Sequence, residues 1–121
     1  MPPLPKKGPP VIHIIRSRAS SQQMTDMLEA LETYVKLAVD VRRGILAGGA
    51  TMPADCEAVL LQEGSQQEEV WGADWNPAVQ QVTFEALINI RPRQDNPSTE
   101  ILAPRSQKRV AQIASELPGG V

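Results

Sequence analysis

The segment 55–93 constrains the fold most, because its residue pattern predicts three consecutive antiparallel strands. The first two strands, 55–62 and 69–75, flank a Gly-Ser pair, and glycine in that place is typical of a type II′ hairpin turn. The next turn, at 76–79, contains a proline, which presets φ at the second turn position. The sequence therefore predicts a three-strand meander.

The two turns give strand pairings that agree with each other. The first places Ala58 opposite Trp71, and the second places Phe84 opposite the same tryptophan on its other side. Since successive side chains of a strand alternate between faces, one face then carries both tryptophans and the single phenylalanine, and we predict that it is core. The second face carries carboxylates and four aliphatic side chains that would need cover, namely Val59, Leu61, Val70 and Leu87.

The chain before the meander predicts a strand, a helix and a second strand. An apolar, β-branched run at 11–15 is typical of a covered strand, helical spacing of apolar residues occupies 20–33, and strict alternation follows at 34–41. Elements of these lengths predict a right-handed crossover with the two strands parallel. A further helix is predicted from Pro104. The predicted fold class is α+β, a mainly antiparallel sheet with a C-terminal three-strand meander and two helices packed on one face.

Length and composition indicate a single α+β domain at 11–117, preceded by a proline-rich tail at 1–10 that we expect to be disordered. The net charge of −2 and the scattered basic residues argue against nucleic-acid binding. No apolar run approaches membrane-spanning length and no signal-peptide core is present, so we expect a cytoplasmic protein without membrane contact. The single cysteine, Cys56, excludes an intrachain disulfide and is expected to be an inert, buried thiol. The only histidine, His13, is predicted to be packed and hydrogen-bonded rather than a metal ligand.

The carboxylates of the second face are the one group of residues that suggests chemistry. In the predicted pairing Asp55 lies opposite Asp74, and like charges that face each other across strands are destabilising. A divalent cation, an arginine such as Arg91, or water at the sheet end could offset the repulsion. We predict no cofactor and no metal, with water or arginine as the compensating group.

Two functions remain open at this stage. The first is a non-enzymatic interaction or regulatory module that forms a homo-oligomer through the second face, since its aliphatic side chains would otherwise lie in water. The second is a small hydrolase or nuclease-like enzyme with a carboxylate and arginine site. Its candidate catalytic residues are Asp40, Asp55, Glu57, Asp74 and Arg91. The absence of an established catalytic motif favours the first.

Five short motifs together resemble a known family. They are LAVDV at 37–41, GILAGG at 44–49, DCEAVLL at 55–61, WGADW at 71–75 and LINIRPR at 87–93. The resemblance is to a family of short bacterial proteins that is known only as a domain of unknown function, and it covers roughly 11–117. It implies a small α+β domain and assigns no activity, so no functional residue follows from it.

Overall fold

The computed structural model describes residues 12–29, 31 and 33–117, and the predicted tail at 1–10 lies outside these residues. The described part contains five strands and three α-helices. In chain order they are β1 (His13–Ile15), α1 (Ser21–Leu28), β2 (Val35–Asp40), β3 (Ile45–Gly48), α2 (Pro53–Gln62), β4 (Val70–Asn76), β5 (Gln81–Thr83) and α3 (Pro104–Glu116). This arrangement confirms the α+β class.

The strands form one antiparallel sheet in the order β1-β3-β2-β4-β5. Strands β1 and β2 are each antiparallel to β3, so they run parallel to each other, as the crossover predicts. They are not hydrogen-bonded neighbours, because β3 lies between them. The helix that connects them, α1, begins with a capping box: the Ser20 hydroxyl accepts from the Gln23 backbone N–H, and the Gln23 side chain accepts from the Ser20 N–H.

One face of the sheet packs against α1 and α3, which are the two helices predicted on one face. Alternation in β2 turns Val35, Leu37 and Val39 toward this layer, where all three are buried. The two helices contribute Met24, Met27, Val110, Ile113 and Ala114. A single apolar core therefore fills the space between this sheet face and the two helices.

The second face is covered by α2, and here the prediction of a strand at 55–62 is wrong. Pro53 occupies the first turn of the helix, where its missing N–H is no loss. Gly64 does not form a hairpin turn; it follows the end of α2 with φ of 111°, a conformation that favours glycine. Cys56 and Leu60 are fully buried in a second apolar cluster that includes Val70. The predicted three-strand meander is thus reduced to the β4–β5 hairpin.

The hairpin pairing differs from the predicted one by two residues. Trp75 lies opposite Val82, whereas the predicted pairing of Trp71 with Phe84 would place Gln80 there. Because a shift of two residues keeps every side chain on its own face, the prediction that the tryptophans are core is confirmed. Trp71 and Trp75 are 5% and 1% exposed, and Phe84 packs half-buried against the same cluster.

The predicted third strand ends early, because the chain leaves the sheet after Thr83. Next to Gly72 the missing strand is replaced by one side chain, Asn89. Its Oδ1 accepts from the Gly72 N–H at 2.7 Å, and its Nδ2 donates to the Gly72 carbonyl at 3.0 Å. Only glycine fits at position 72, because a Cβ there would lie 2.4 Å from the Cβ of Ala86. Asn89 therefore fixes the chain that follows β5 against the edge of β4.

Candidate functional site

Two neighbouring pockets lie along the α2 side of the sheet, between that helix and the 85–94 segment. The carboxylate pocket, of about 380 Å³, is lined among others by Lys36, Met52, Asp74, Glu85, Leu87 and Thr99. The arginine pocket, of about 390 Å³, is lined among others by Glu57, Gln67, Ile90, Arg91, Arg93 and Gln94. Helix α2 borders both, through Pro53 at the first and Glu57 at the second. Sizes of this order suit small ligands or the side chains of a partner.

The arginine pocket is built around a buried ion pair. Arg91 is 9% exposed, and its Nη2 lies 3.0 Å from Oε2 of Glu57 on α2. Its Nε donates to the Ile88 carbonyl and its Nη1 to the Gln67 carbonyl. The guanidinium also lies 4.8 Å from the ring centroid of Trp71. Each nitrogen of the guanidinium is thus bonded within the protein, and Arg91 joins α2, β4 and the 85–94 segment.

The pKa shifts of this pair show how strongly burial acts on it. Burial raises the pKa of Glu57, although the Arg91 charge and a hydrogen bond from Gln67 act in the opposite direction. Burial likewise lowers the pKa of Arg91, although the Glu57 charge opposes that shift. Desolvation therefore outweighs the attraction at both partners, which is the usual balance for a buried pair. The pair joins the 85–94 segment to α2.

The carboxylate pocket contains an ion pair that crosses the sheet. Lys36 on β2 lies directly opposite Asp74 on β4, with 3.8 Å between Nζ and Oδ1. Burial raises the pKa of Asp74 and the nearby Glu85 charge adds to the rise, whereas Lys36 and a hydrogen bond with Thr83 act to lower it. The upward shift remains because burial, its largest cause, outweighs the opposing effects of Lys36 and Thr83.

The five candidate catalytic residues do not form one site. Asp40 ends β2, fully buried, and its Oδ1 accepts from the backbone N–H groups of Arg42 and Arg43 at 2.9 Å, which shapes the turn to β3. Asp55 lies exposed in the first turn of α2, where a carboxylate favours the helix dipole. The predicted pairing of Asp55 with Asp74 is wrong because Asp55 is on a helix and Asp74 faces Lys36.

Only Glu57 and Arg91 among those candidates bind each other. Over the part of the chain that is described, no group of three or more His, Cys, Asp and Glu side chains could hold a metal ion. His13 bonds Asp26 through Nε2 at 3.0 Å, so it is hydrogen-bonded as predicted. Cys56 is fully buried and its thiol lies 3.6 Å from the Lys36 carbonyl, to which it donates; burial raises its pKa to about 11. A thiol in this state is a poor nucleophile.

Three exposed apolar side chains line the two pockets, Met52 and Leu87 at the carboxylate pocket and Ile90 at the arginine pocket. Met52, Leu87 and Ile90 are 49%, 65% and 45% exposed. We call these three residues the apolar ridge. The alternation of apolar residues marks Leu87, which belongs to the aliphatic residues of the second face. It does not mark Met52, which precedes the segment 55–93, and it assigns Ile90 to the face of the tryptophans.

A family model matches most of the chain. A family model described as a protein of unknown function (DUF5674) matches residues 13–117, which confirms the resemblance to a domain of unknown function. Among curated proteins and among solved structures, none matches this chain. In the described ranges no helix has the length and apolar character needed to cross a membrane.

Proposed function

We propose that this chain, which belongs to that family of unknown function, is a non-enzymatic interaction or regulatory module that binds a second copy of itself through the apolar ridge. The observation that carries the proposal is the exposure of three large apolar side chains on one surface, up to 65% for Leu87. Contiguous exposed apolar surface of this kind marks interaction sites.

The apolar ridge is contiguous because of local geometry. Leu87 begins a single turn of 3₁₀ helix, Leu87–Asn89, and the Ile90 N–H donates to the Leu87 carbonyl. Side chains three residues apart in such a turn lie on the same side. Met52, which precedes α2, lines the same pocket as Leu87. The three side chains therefore present one surface to a partner.

The apolar ridge is not the surface that the sequence pattern predicts as the interface. The predicted interface was the second sheet face, but α2 covers that face and Val70 is fully buried beneath it. Leu87 stays exposed because the 85–94 segment lies outside the sheet. The proposal of self-association thus rests on the apolar ridge and not on an uncovered sheet.

The alternative of a hydrolase has less support. Its proposed residues are separated, and the two that meet, Glu57 and Arg91, bind each other through a buried contact. An enzyme of that class needs a carboxylate that is placed for proton transfer or for metal binding. The single, buried cysteine suits a reducing compartment, so a cytoplasmic location is part of the proposal.

The solution mass of two matched variants tests the proposal. Leu87→Gln removes an apolar side chain from the ridge, whereas Val79→Gln makes a similar change at a residue that is 57% exposed in the β4–β5 turn. We expect size-exclusion chromatography with light scattering to show a dimer for the parent and for Val79→Gln, and a shift toward monomer for Leu87→Gln. A parent that stays monomeric at every concentration, or equal masses for the two variants, would contradict the proposal.

A further inference from the structure

We infer that the two copies are held in register by reciprocal ion pairs, in which Arg93 of each copy enters the carboxylate pocket of the other and binds Glu85. This inference rests on the proposed self-association and names the polar contacts of that interface. It also assigns a role to two charged residues that have no ion pair within the described part of the chain.

Glu85 and Arg93 are both exposed, and neither takes part in an ion pair within the described residues. The other charged groups that line the two pockets do have partners. Lys36 pairs with Asp74, and Glu57 pairs with Arg91. Glu85 and Arg93 are thus the two charges of this surface that are left for a partner.

The positions of the two residues fit a two-fold symmetric contact. Glu85 lines the carboxylate pocket beside Leu87, and Arg93 lines the arginine pocket beside Ile90. Each therefore lies at a different pocket, beside a different member of the apolar ridge. In an isologous dimer, a two-fold axis that passes through the ridge brings each residue opposite the other residue of the second copy. Opposite charges then meet twice in every dimer.

The carboxylate pocket also has the chemistry to receive an arginine side chain. Two carboxylates, Asp74 and Glu85, line this pocket together with a single cationic side chain, Lys36. A guanidinium would add positive charge there and could bond carboxylate oxygens with two N–H groups. Met52 and Leu87 supply apolar walls for the aliphatic part of the side chain.

A charge-swap cycle tests the inference, with the dimer dissociation constant measured by sedimentation equilibrium. Glu85→Arg and Arg93→Glu should each raise the dissociation constant about tenfold to a hundredfold, since each places like charges opposite one another. The double variant restores opposite charges and should return to within about threefold of the parent. Glu116→Arg and Arg105→Glu make the same charge changes at exposed positions of α3, across the sheet, and should have little effect.

The outcomes separate this inference from the proposed function. If the parent dimerises and Leu87→Gln weakens the dimer, but Glu85→Arg behaves like Glu116→Arg, self-association through the ridge stands and the ion pairs are wrong. Single swaps that weaken the dimer without recovery in the double variant would also overturn the reciprocal pairing. A parent that does not dimerise at any concentration would overturn both.

Discussion

Replacement of Asn89 is the sharpest test of how the candidate surface is held in place. The side chain is fully buried, and besides its two bonds to Gly72 its Nδ2 lies within hydrogen-bonding distance of the carbonyls of Phe84 at 3.1 Å and Thr99 at 3.0 Å. Asn89→Ala removes all of these contacts at once. The N–H and the carbonyl of Gly72 then lose their partners in a buried position.

The expected loss of stability follows from those two backbone groups. A buried polar group without a partner costs about 1–3 kcal/mol, so the pair at Gly72 gives about 2–6 kcal/mol. The carbonyls of Phe84 and Thr99 are only part-buried in these contacts, and water can replace the amide there. We therefore expect Asn89→Ala to lower the free energy of unfolding by about 3–5 kcal/mol, a large part of the stability of a small domain.

Urea denaturation followed by tryptophan fluorescence measures this loss. Asn89→Asp should be at least as harmful, because a carboxylate oxygen would replace the amide that now faces three carbonyls. Asn76→Ala is the control: its Oδ1 accepts one bond from the exposed Ala78 N–H, and we expect a loss below about 1 kcal/mol. If Asn89→Ala cost no more than that control, the side chain would not replace the missing strand.

Three further predictions concern the sheet around this site. Gly72→Ala should destabilise by about 1–3 kcal/mol because its Cβ meets that of Ala86, and adding Ala86→Gly should recover part of the loss in urea melts; no recovery would mean that the contact is misplaced. Trp71→Ala should cost about 3–5 kcal/mol as a large-to-small change in the core, and a loss below about 1 kcal/mol would contradict its burial. Asp74→Asn should leave the free energy of unfolding at pH 7 unchanged or higher. Folding raises the pKa of the Asp74 carboxyl above its ordinary value of 3.8. The contribution of this carboxyl to stability therefore falls as the pH rises from 3.8 through the pKa of the folded state. Urea melts between pH 4 and 7 should show a smaller decline in the variant than in the parent, and equal pH profiles would refute the assignment.

Helix α2 is the element whose type the sequence pattern predicts wrongly. The residues around Gly64 suit either a type II′ turn or the end of a helix, since both require glycine at positive φ. The composition of the preceding segment decides between them. Val59 is its only β-branched residue, Pro53 stands where a helix begins, and alanine, glutamate and leucine favour helix. Agreement between two strand pairings was not independent support, because any alternating pattern yields a consistent face.

The end of the sheet could not be read from alternation. Apolar residues continue at every second position from Val82 to Ile90, as a long strand would require. The chain instead leaves the sheet after Thr83, and the Asn89 side chain takes the place of backbone partners. Nothing in a hydrophobic pattern distinguishes a side-chain amide that bonds a neighbouring strand from one that lies in a loop.

The candidate surface was predictable in its residue types but not in its contacts. Glu57 and Arg91 were both singled out, yet their contact depends on α2 lying across the sheet. Lys36 and Asp74 alternate with apolar residues in two segments whose strand character was predicted correctly. Their pairing was missed because β2, and not the segment 55–62, is the neighbour of β4 on that side. The long-range order of strands is information that local patterns do not contain.

A dilution series followed by NMR reports both whether the chain self-associates and which residues take part. We predict that the backbone amide signals of Met52, of residues 85–91 and of Arg93 shift as the protein is diluted, while those of Arg105 and Glu116 on α3 stay in place. The prediction would be contradicted by spectra that do not change over the full concentration range, or by shifts that appear on α3 and leave the apolar ridge unaffected.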